Sequence, residues 1–203
     1  DRNEAEEVCD RIKERKAETS CSYRDMAILY RTNSQSRAFE DALRFRNIPY
    51  RLFGGLSFYS RKEIKDVLAY FRLVVNNNDN DAFLRIINYP ARGIGQTSLD
   101  RLKIAADSMN CSLFDAASSD CLSQFGIKSS TASTLSDFCA FIRACSVELY
   151  NEDALTLGEK IIKRSRLKET ISEEDKAESK DRLENVEELI SGLQSFVSLE
   201  DNN

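Results

Sequence analysis

The sequence contains no histidine, and only two prolines and seven glycines occur among its 203 residues. Without histidine the chain lacks the usual general base near neutral pH and every Ser-His or Cys-His dyad. Catalysis within this chain would therefore depend on carboxylates, lysine or a bound cofactor. Because proline and glycine are scarce and good helix formers are abundant, the composition predicts a mainly helical protein.

Two nucleotide-binding motifs are also missing. The chain has no G-x-x-x-x-G-K-[ST] sequence, and FGIKSS at 125–130 lacks both the glycine-lysine pair and the upstream glycine. Gly93 and Gly95 are followed by Ser98, so the G-x-G-x-x-G pattern is absent too. Nothing here builds a phosphate cradle for a nucleotide, so we expect no cofactor in this chain and no ATP hydrolysis by it.

The six cysteines form no C-x-x-C pair, which together with the lack of histidine argues against a zinc site. We expect six free cysteines in a reducing cytoplasm, several of them on helix core faces, and no metal site. No apolar run approaches the ~20 residues that a membrane span needs, and the charged beginning of the chain is not a secretory signal. The chain does not begin with Met, and we expect it to be a piece of a longer protein.

The net charge of −5 argues against a uniformly basic nucleic-acid binder, but the charge is unevenly distributed. Lys and Arg outnumber Asp and Glu between Arg31 and Lys103, whereas both flanks are acidic. A basic block of this kind fits a localised anionic partner, and ordinary surface charge is the alternative. Asp79 and Asp81 lie in a polar turn, where they are expected to cap a helix rather than to act as an acid/base pair.

The fold class expected from hydrophobic periodicity is mainly α, with a small parallel α/β fragment before an all-helical domain. A helix over 3–18 is followed by a short apolar run at 26–30, a helix over 34–47 that Ser34 can cap, and a second strand at 48–55. Strand, helix and strand with short connections predict a βαβ unit, and a sheet this small looks truncated. From residue 60 helices follow one another, apart from a predicted charged loop at 172–181 before a last helix at 182–196.

The stretch YPARGIGQTSLDRLKIAA at 89–106 places two glycines directly before an amphipathic helix. Pro90 should end the preceding short helix, and Thr97 or Ser98 can cap the next one. The first amide protons of a helix are unpaired and its dipole is positive there, so an anion such as a DNA phosphate fits. The residues that would form this contact are Arg92, Gly93, Ile94, Gly95, Thr97 and Arg101, and Lys103 adds charge. The alternative is a tight helix–helix turn with no ligand.

Two further stretches carry donors for phosphate. LYRTNSQSR follows the first predicted strand, where open α/β sheets bind ligands, and offers Arg31, Thr32, Asn33 and Arg37. FGGLSFYSRKEIK combines a close-approach glycine pair with aromatic and basic side chains, which is a single-strand binding pattern; its candidates are Gly54, Gly55, Phe58, Arg61 and Lys62. The alternatives are a capped strand–helix turn for the first stretch, and a core Phe58 with hinge glycines for the second.

In this order and spacing, the three stretches resemble superfamily 1 DNA helicases of the UvrD/PcrA/Rep family. The blocks that carry the resemblance are AILYRTNSQSRAFEDAL, IPYRLFGGLSFYSRKEIKDVLAYFRLV, RIINYPARGIGQTSLDRL and RLENVEEL. The resemblance covers about two thirds of the chain. One departure is Ser57, because the residue before Phe58 is often basic in the family and contacts the single strand.

The resemblance implies that residues 1–58 are part of motor domain 2A and that residues 59–203 are its helical insertion, 2B. It implies a parent ATP-dependent 3′-to-5′ DNA helicase of repair or replication, with ATP and Mg²⁺ bound outside this chain. In that family, YRTN lies on the single-strand track and the Arg-Gly-Ile-Gly turn touches duplex backbone, without reading sequence. The helical domain would also move as a regulatory subdomain and could bind repair proteins.

Two alternatives of other classes stay open at the level of sequence. The first is a free-standing helical DNA-binding module with no motor, although such a module has no use for two isolated strands. The second is a protein-interaction or autoinhibitory domain whose contact face is the acidic C-terminal third. The second alternative is compatible with the helicase interpretation.

Overall fold

The computed structural model describes residues 2–31, 35–53, 57–174 and 176–200, and most of them lie in helices. In chain order the helices of this described part are α1 (Arg2–Glu18), α2 (Ser36–Phe45), α3 (Lys62–Val75), α4 (Asn80–Ile86), α5 (Gln96–Met109), α6 (Leu113–Ala117), α7 (Ser129–Glu148), α8 (Ala154–Ser165), α9 (Leu167–Glu173) and α10 (Lys176–Glu200). Short 3-10 turns lie at Tyr23–Asp25, Phe58–Ser60 and Leu122–Phe125. The prediction of a mainly helical protein is confirmed.

The chain divides into two compact units, Asp1–Ile64 and Lys65–Asn203. In the first unit, α1 packs against α2. Ala5 and Cys9 of α1 meet Ala42 and Leu43 of α2, together with Ile48, in a small core. Each helix contributes one apolar face, which is the pattern that 3.6-residue periodicity produces. The assignment of residues 1–58 to subdomain 2A and of residues 59–203 to subdomain 2B remains a prediction.

The small parallel sheet predicted in this unit is not found, since no strand occurs among the described residues. Within 26–30, Leu29 is 95% exposed whereas Ile28 and Tyr30 are partly buried, so one face of the segment is partly covered and the other is exposed. The second segment is also unpaired over 48–53, and residues 54–55 lie outside the described residues. A strand exists only where a neighbour supplies its ladder of hydrogen bonds, and neither segment has such a neighbour in the described part of the chain.

The second unit is a helical domain built around aromatic rings. Phe83 of α4 makes edge-on contacts with Phe114 of α6 and Phe138 of α7, with ring centroids 6.4 and 5.8 Å apart. Asp79 caps α4 by accepting a hydrogen bond from the Ala82 N–H, so the cap expected in this polar turn is confirmed. These contacts fix the position from which the chain leaves α4.

The charged segment 172–181 was predicted to be a loop, and this prediction is wrong for most of the segment, because α9 extends to Glu173 and α10 begins at Lys176. Ion pairs one turn apart support the helix without an apolar period. Arg182 Nη2 lies 2.7 Å from Glu178 Oε2, and Lys180 Nζ lies 3.9 Å from Glu184 Oε1. Such pairs stabilise a helix that a search for apolar periodicity overlooks.

All six cysteines are free thiols, and Cys9, Cys139 and Cys145 are buried, as expected for helix core positions. Within the described residues, no set of three or more Cys, Asp or Glu side chains is grouped so as to bind a metal ion. The described helices include none with the length and apolar character needed to cross a membrane.

Candidate nucleic-acid interface

The Arg-Gly-Ile-Gly stretch forms a tight turn between α4 and α5. Gly93 adopts a left-handed conformation with φ of +70°, which a residue with a side chain rarely takes. Ile94 is only 2% exposed and anchors the turn in the core, whereas Gly93 and Gly95 are exposed. A Cβ added at either glycine would meet nothing within 4 Å. The outer surface of the turn is therefore open backbone.

The helix start leaves amide groups without partners. Gly95 is the N-cap of α5 and its carbonyl accepts from the N–H groups of Ser98 and Leu99. The N–H groups of Gln96 and Thr97 bond no acceptor in the described part of the chain. The prediction that Thr97 or Ser98 caps this helix is wrong, because the helix already begins at Gln96. These amides are free to receive an anion.

Asn88 holds the turn from its exposed side. Its Oδ1 atom accepts the backbone N–H of Arg92 at 2.8 Å and that of Ile94 at 3.2 Å. Asparagine commonly bonds nearby backbone groups in this way. The backbone N–H groups of Arg92 and Ile94 therefore already have an acceptor. The N–H groups of Gln96 and Thr97 at the start of α5 have none in the described part of the chain.

The side chain of Arg92 is bound within the subdomain. Its Nη1 donates to the carbonyl oxygens of Ile86, Ile87 and Pro90 at 2.8, 3.0 and 3.1 Å. Its Nη2 donates to the hydroxyl of Tyr70 at 2.8 Å. The guanidinium carbon also lies 4.8 Å from the ring centre of Phe138. This predicted phosphate ligand is half-buried and engaged in internal bonds.

Basic groups stand on the first turns of α5. Arg101 is exposed and its Nη1 donates to the carbonyl oxygen of Gly126. Lys103 is exposed and lies 3.8 Å from Asp100. Both remain accessible to an anion, and so does the exposed Thr97. Five of the six predicted duplex residues thus share this turn and helix start, and Arg101 lies just beyond them on the same helix.

The predicted single-strand residues lie in the first unit. Arg31 is exposed, and its backbone N–H donates to Gln35 Oε1 at 2.9 Å. Lys62 is exposed at the start of α3. The predictions for Thr32, Asn33, Gly54 and Gly55 lie outside the described residues. Of the nine predicted single-strand residues, Arg31 and Lys62 are the two that are exposed in the described part of the chain.

The other predicted single-strand residues, Arg37, Phe58 and Arg61, come together but are buried. The Phe58 ring is fully buried, and the guanidinium carbons of Arg37 and Arg61 lie 5.2 and 5.3 Å from its centre. Arg61 Nη2 also donates to Ser36 Oγ at 3.0 Å. This arrangement matches the alternative of a core Phe58, because no face of the ring is available to a base in this structure.

A buried carboxylate fastens this cluster. Glu40 of α2 is 1% exposed, and its Oε1 accepts the Phe58 N–H at 2.9 Å. Its Oε2 accepts the hydroxyls of Tyr50, at 3.0 Å, and Ser57. Burial and the nearby Glu40 charge raise the pKa of the Tyr50 phenol, so Tyr50 stays protonated as a donor. Ser57 is thus engaged inside the unit.

Comparison with known proteins agrees with the resemblance seen in the sequence. The family profile described as UvrD-like helicase C-terminal domain matches residues 1–203. The chain belongs to this family. The ATP-dependent DNA helicase PcrA of Staphylococcus aureus strain Mu50 is 37% identical over 169 residues, which cover 83% of this chain and 23% of that protein. The PcrA of Staphylococcus epidermidis is 36% identical over 191 residues, covering 94% and 26%. The chain therefore spans about a quarter of the length of these relatives.

Three residues of this UvrD-like domain that sequence reasoning missed are Glu40, Tyr70 and Asn88. Glu40 falls on the buried face of α2, and a charged residue on such a face signals an internal polar network. Asn88 stands just before a Tyr-Pro step, where its side chain can bond the following backbone. Tyr70 carried no sequence signal, because a tyrosine on an apolar helix face is indistinguishable from any core aromatic residue.

Proposed function

We propose that this chain is the DNA-contacting part of an ATP-dependent DNA helicase that unwinds duplex in repair or replication. The single observation that carries the proposal is the open turn at Gly93–Thr97, where both glycines are exposed and the N–H groups of Gln96 and Thr97 bond no acceptor among the described residues. Membership of the UvrD-like helicase family and similarity to proteins named ATP-dependent DNA helicases support DNA as the partner. The chain itself contributes binding and domain movement rather than hydrolysis.

The duplex contact consists of the turn and the first turns of α5. Gly93, Ile94 and Gly95 let a phosphate approach the backbone, and Thr97 offers an amide and a hydroxyl. Arg101 supplies a cation beside them, and Arg92 belongs to the same turn. Contacts of this kind position a protein on DNA without reading its sequence. The exposure of both glycines supports this arrangement.

The single-strand contact lies in the first unit, along the segments that begin at Arg31 and end at Lys62. The exposure of these two cations supports the proposal, and Thr32, Asn33, Gly54 and Gly55 belong to the same contact. Arg37, Phe58 and Arg61 support it from within by fastening α2 to the turn at Phe58–Ser60.

The whole protein acts as a 3′-to-5′ helicase in the cytoplasm and hydrolyses ATP with Mg²⁺ at a site outside this chain. Residues 1–58 belong to subdomain 2A and residues 59–203 to subdomain 2B, which moves as a regulatory element and binds repair proteins. The missing G-x-x-x-x-G-K-[ST] motif supports placing the ATP site elsewhere. The isolated chain should accordingly release no phosphate from ATP, with or without DNA.

A titration of the 203-residue chain with fluorescently labelled DNA tests the duplex contact. The duplex carries a 3′ single-stranded tail, and affinity is measured at several salt concentrations. Weak, salt-sensitive binding is expected because few phosphates are neutralised. Gly95→Val should abolish it, since the side chain would occupy the open space that a phosphate needs. Lys163→Gln, on an exposed part of α8, is the matched control and should bind like the parent.

Equal affinity of Gly95→Val and the parent would show that the turn is not the contact. No measurable binding by the parent in low salt would remove the duplex proposal altogether. Binding to tailed DNA that is retained by Gly95→Val and lost in Arg31→Glu would assign the interaction to the first unit alone.

A further inference from the structure

Arg92 closes the end of α4. The carbonyl groups in the last turn of a helix have no partner within that helix, and its dipole is negative there. The two hydrogens of Arg92 Nη1 are shared among the carbonyl oxygens of Ile86, Ile87 and Pro90 at 2.8–3.1 Å. No carboxylate in the described part of the chain forms an ion pair with Arg92. Its charge is therefore balanced by carbonyl dipoles.

Tyr70 and Phe138 fix the guanidinium from two other helices. Tyr70 of α3 is 1% exposed; its hydroxyl accepts from Arg92 Nη2 at 2.8 Å and donates to the Tyr89 carbonyl at 2.9 Å. Burial raises the pKa of the Tyr70 phenol against the opposing effect of Arg92, so this proton stays in place at neutral pH. The Phe138 ring of α7 lies beside the guanidinium.

The turn is consequently held on both sides before any ligand arrives. Arg92 binds the chain that enters the turn, and Asn88 binds the backbone N–H groups of Arg92 and Ile94. Ile94 is buried between these two sets of bonds. With the N–H groups of Arg92 and Ile94 occupied, the exposed glycines and the start of α5 are where the turn offers unbonded backbone N–H groups to an anion. Such preorganisation removes the ordering cost that a flexible loop would meet on binding.

We propose that Arg92 is a positioning residue: its guanidinium braces the turn from inside, so that the open amides meet the duplex backbone, and does not itself bind a phosphate. This inference rests on the proposed duplex contact. In this role the geometry of the Arg92 guanidinium matters, and its charge alone is not sufficient. A lysine would keep the charge but lose the planar fork that spans three carbonyls and a hydroxyl.

The test compares Arg92→Lys, Arg92→Gln and Arg101→Gln in the 203-residue chain, using the same tailed duplex over a range of salt. Arg92→Lys should bind as weakly as Arg92→Gln, roughly tenfold or more below the parent, because each loses several hydrogen bonds of the brace. The slope of log affinity against log salt concentration, here the salt slope, should be the same in both variants as in the parent, since no phosphate contact is lost. Arg101→Gln should lower the slope by about 0.9 for its one phosphate. Arg143→Lys, an arginine over the Phe114 ring, is the matched control and should change neither quantity.

Amide hydrogen exchange distinguishes the brace from general stability. In Arg92→Lys the amide of Ile94 should exchange faster, while amides in the middle of α7 keep their parent rates. Tyr70→Phe removes the hydroxyl that accepts from Arg92 and donates to the Tyr89 carbonyl, without changing any charge, and it should weaken duplex binding several-fold at an unchanged salt slope. If the Arg92 variants do not fold, Tyr70→Phe still tests whether the brace around Arg92 supports duplex binding.

Parent-like binding by Arg92→Lys, together with a slope lowered by about 0.9 in Arg92→Gln, would make Arg92 a direct phosphate ligand and overturn the inference while leaving the duplex contact intact. Parent-like binding by Tyr70→Phe would also overturn it. Failure of the parent to bind duplex would instead remove the proposed contact, and the positioning role with it.

Discussion

The carboxylate of Glu40 accepts the backbone N–H of Phe58 at 2.9 Å and so joins α2 to the 3-10 turn at Phe58–Ser60. The same carboxylate binds Tyr50 and Ser57, so a single buried group satisfies three donors. Removing one partner of a buried hydrogen bond leaves the other without water or protein to bind. The order of this part of the first unit therefore depends on Glu40.

Glu40→Gln should destabilise the first unit by about 1–3 kcal/mol, because the amide nitrogen would face a donor in place of an accepting oxygen. Hydrogen exchange of the α2 backbone amides under native conditions measures the stability of this unit separately from that of the helical domain. Glu14→Gln, an exposed change on α1, should stay within about 0.5 kcal/mol of the parent. Unchanged exchange in Glu40→Gln would show that the three donors have other acceptors.

The two exposed glycines of the turn should respond differently to alanine. Gly93→Ala should cost about 1 kcal/mol, because alanine resists a φ of +70°. Gly95 has an ordinary φ of −77° and open space around it, so Gly95→Ala should cost only about 0.5 kcal/mol, through the poorer N-cap that alanine gives α5. Urea unfolding measures both variants. A Gly95→Ala protein as unstable as Gly93→Ala would contradict the turn geometry described above.

Asp79 should contribute to stability both as a cap and as a charge. Asp79→Ala should cost about 1 kcal/mol, because α4 loses its N-cap, whereas Asp79→Asn keeps a capping oxygen and should cost less. The hydrogen bond from the Ala82 N–H, helped by the ion pair with Arg72, lowers the pKa of the Asp79 carboxyl.

A lowered pKa in the folded state means that this stability is present above the unfolded pKa and is lost as the pH falls through the folded one. The difference in melting temperature between the parent and Asp79→Asn should therefore narrow from pH 7 down to pH 3. A difference that stays constant over this range would show that the charge of Asp79 adds nothing.

Cys139 should make the helical domain sensitive to alkali. Burial raises the pKa of its thiol from the ordinary 9.0 to about 11. Because the folded pKa lies above the unfolded one, this stability is fully present below about pH 9 and is lost as the pH rises towards 11. Chemical unfolding of the parent should show a steeper loss from pH 8 to pH 11 than unfolding of Cys139→Ala. Parallel pH profiles would mean that the thiol reaches water in the folded state.

Several features of the fold and the site were predictable from local patterns. Apolar residues every three or four positions predicted most of the helices, and the polar turn before α4 predicted the Asp79 cap. The glycine pair after Pro90 predicted an open turn before α5, and its start lies at Gln96 rather than at the expected Thr97 or Ser98. The last helix was predicted at 182–196 and lies within α10, but the charged start of α10 from Lys176 escaped this approach, because ion pairs rather than an apolar face support its first turns.

The sequence by itself determined the helical character, the family and the turn that exposes backbone at Gly93–Thr97, because propensity, periodicity and glycine placement act over a few neighbouring residues. Only the tertiary structure decided which charged side chains face solvent. Arg92, Arg37 and Arg61 look like surface cations in the sequence, yet each is bound within the fold by carbonyls, hydroxyls or an aromatic ring. Some of their partners are distant in sequence, such as Tyr70 and Phe138 for Arg92 and Phe58 for Arg37, and burial of a charge depends on what the chain brings around it.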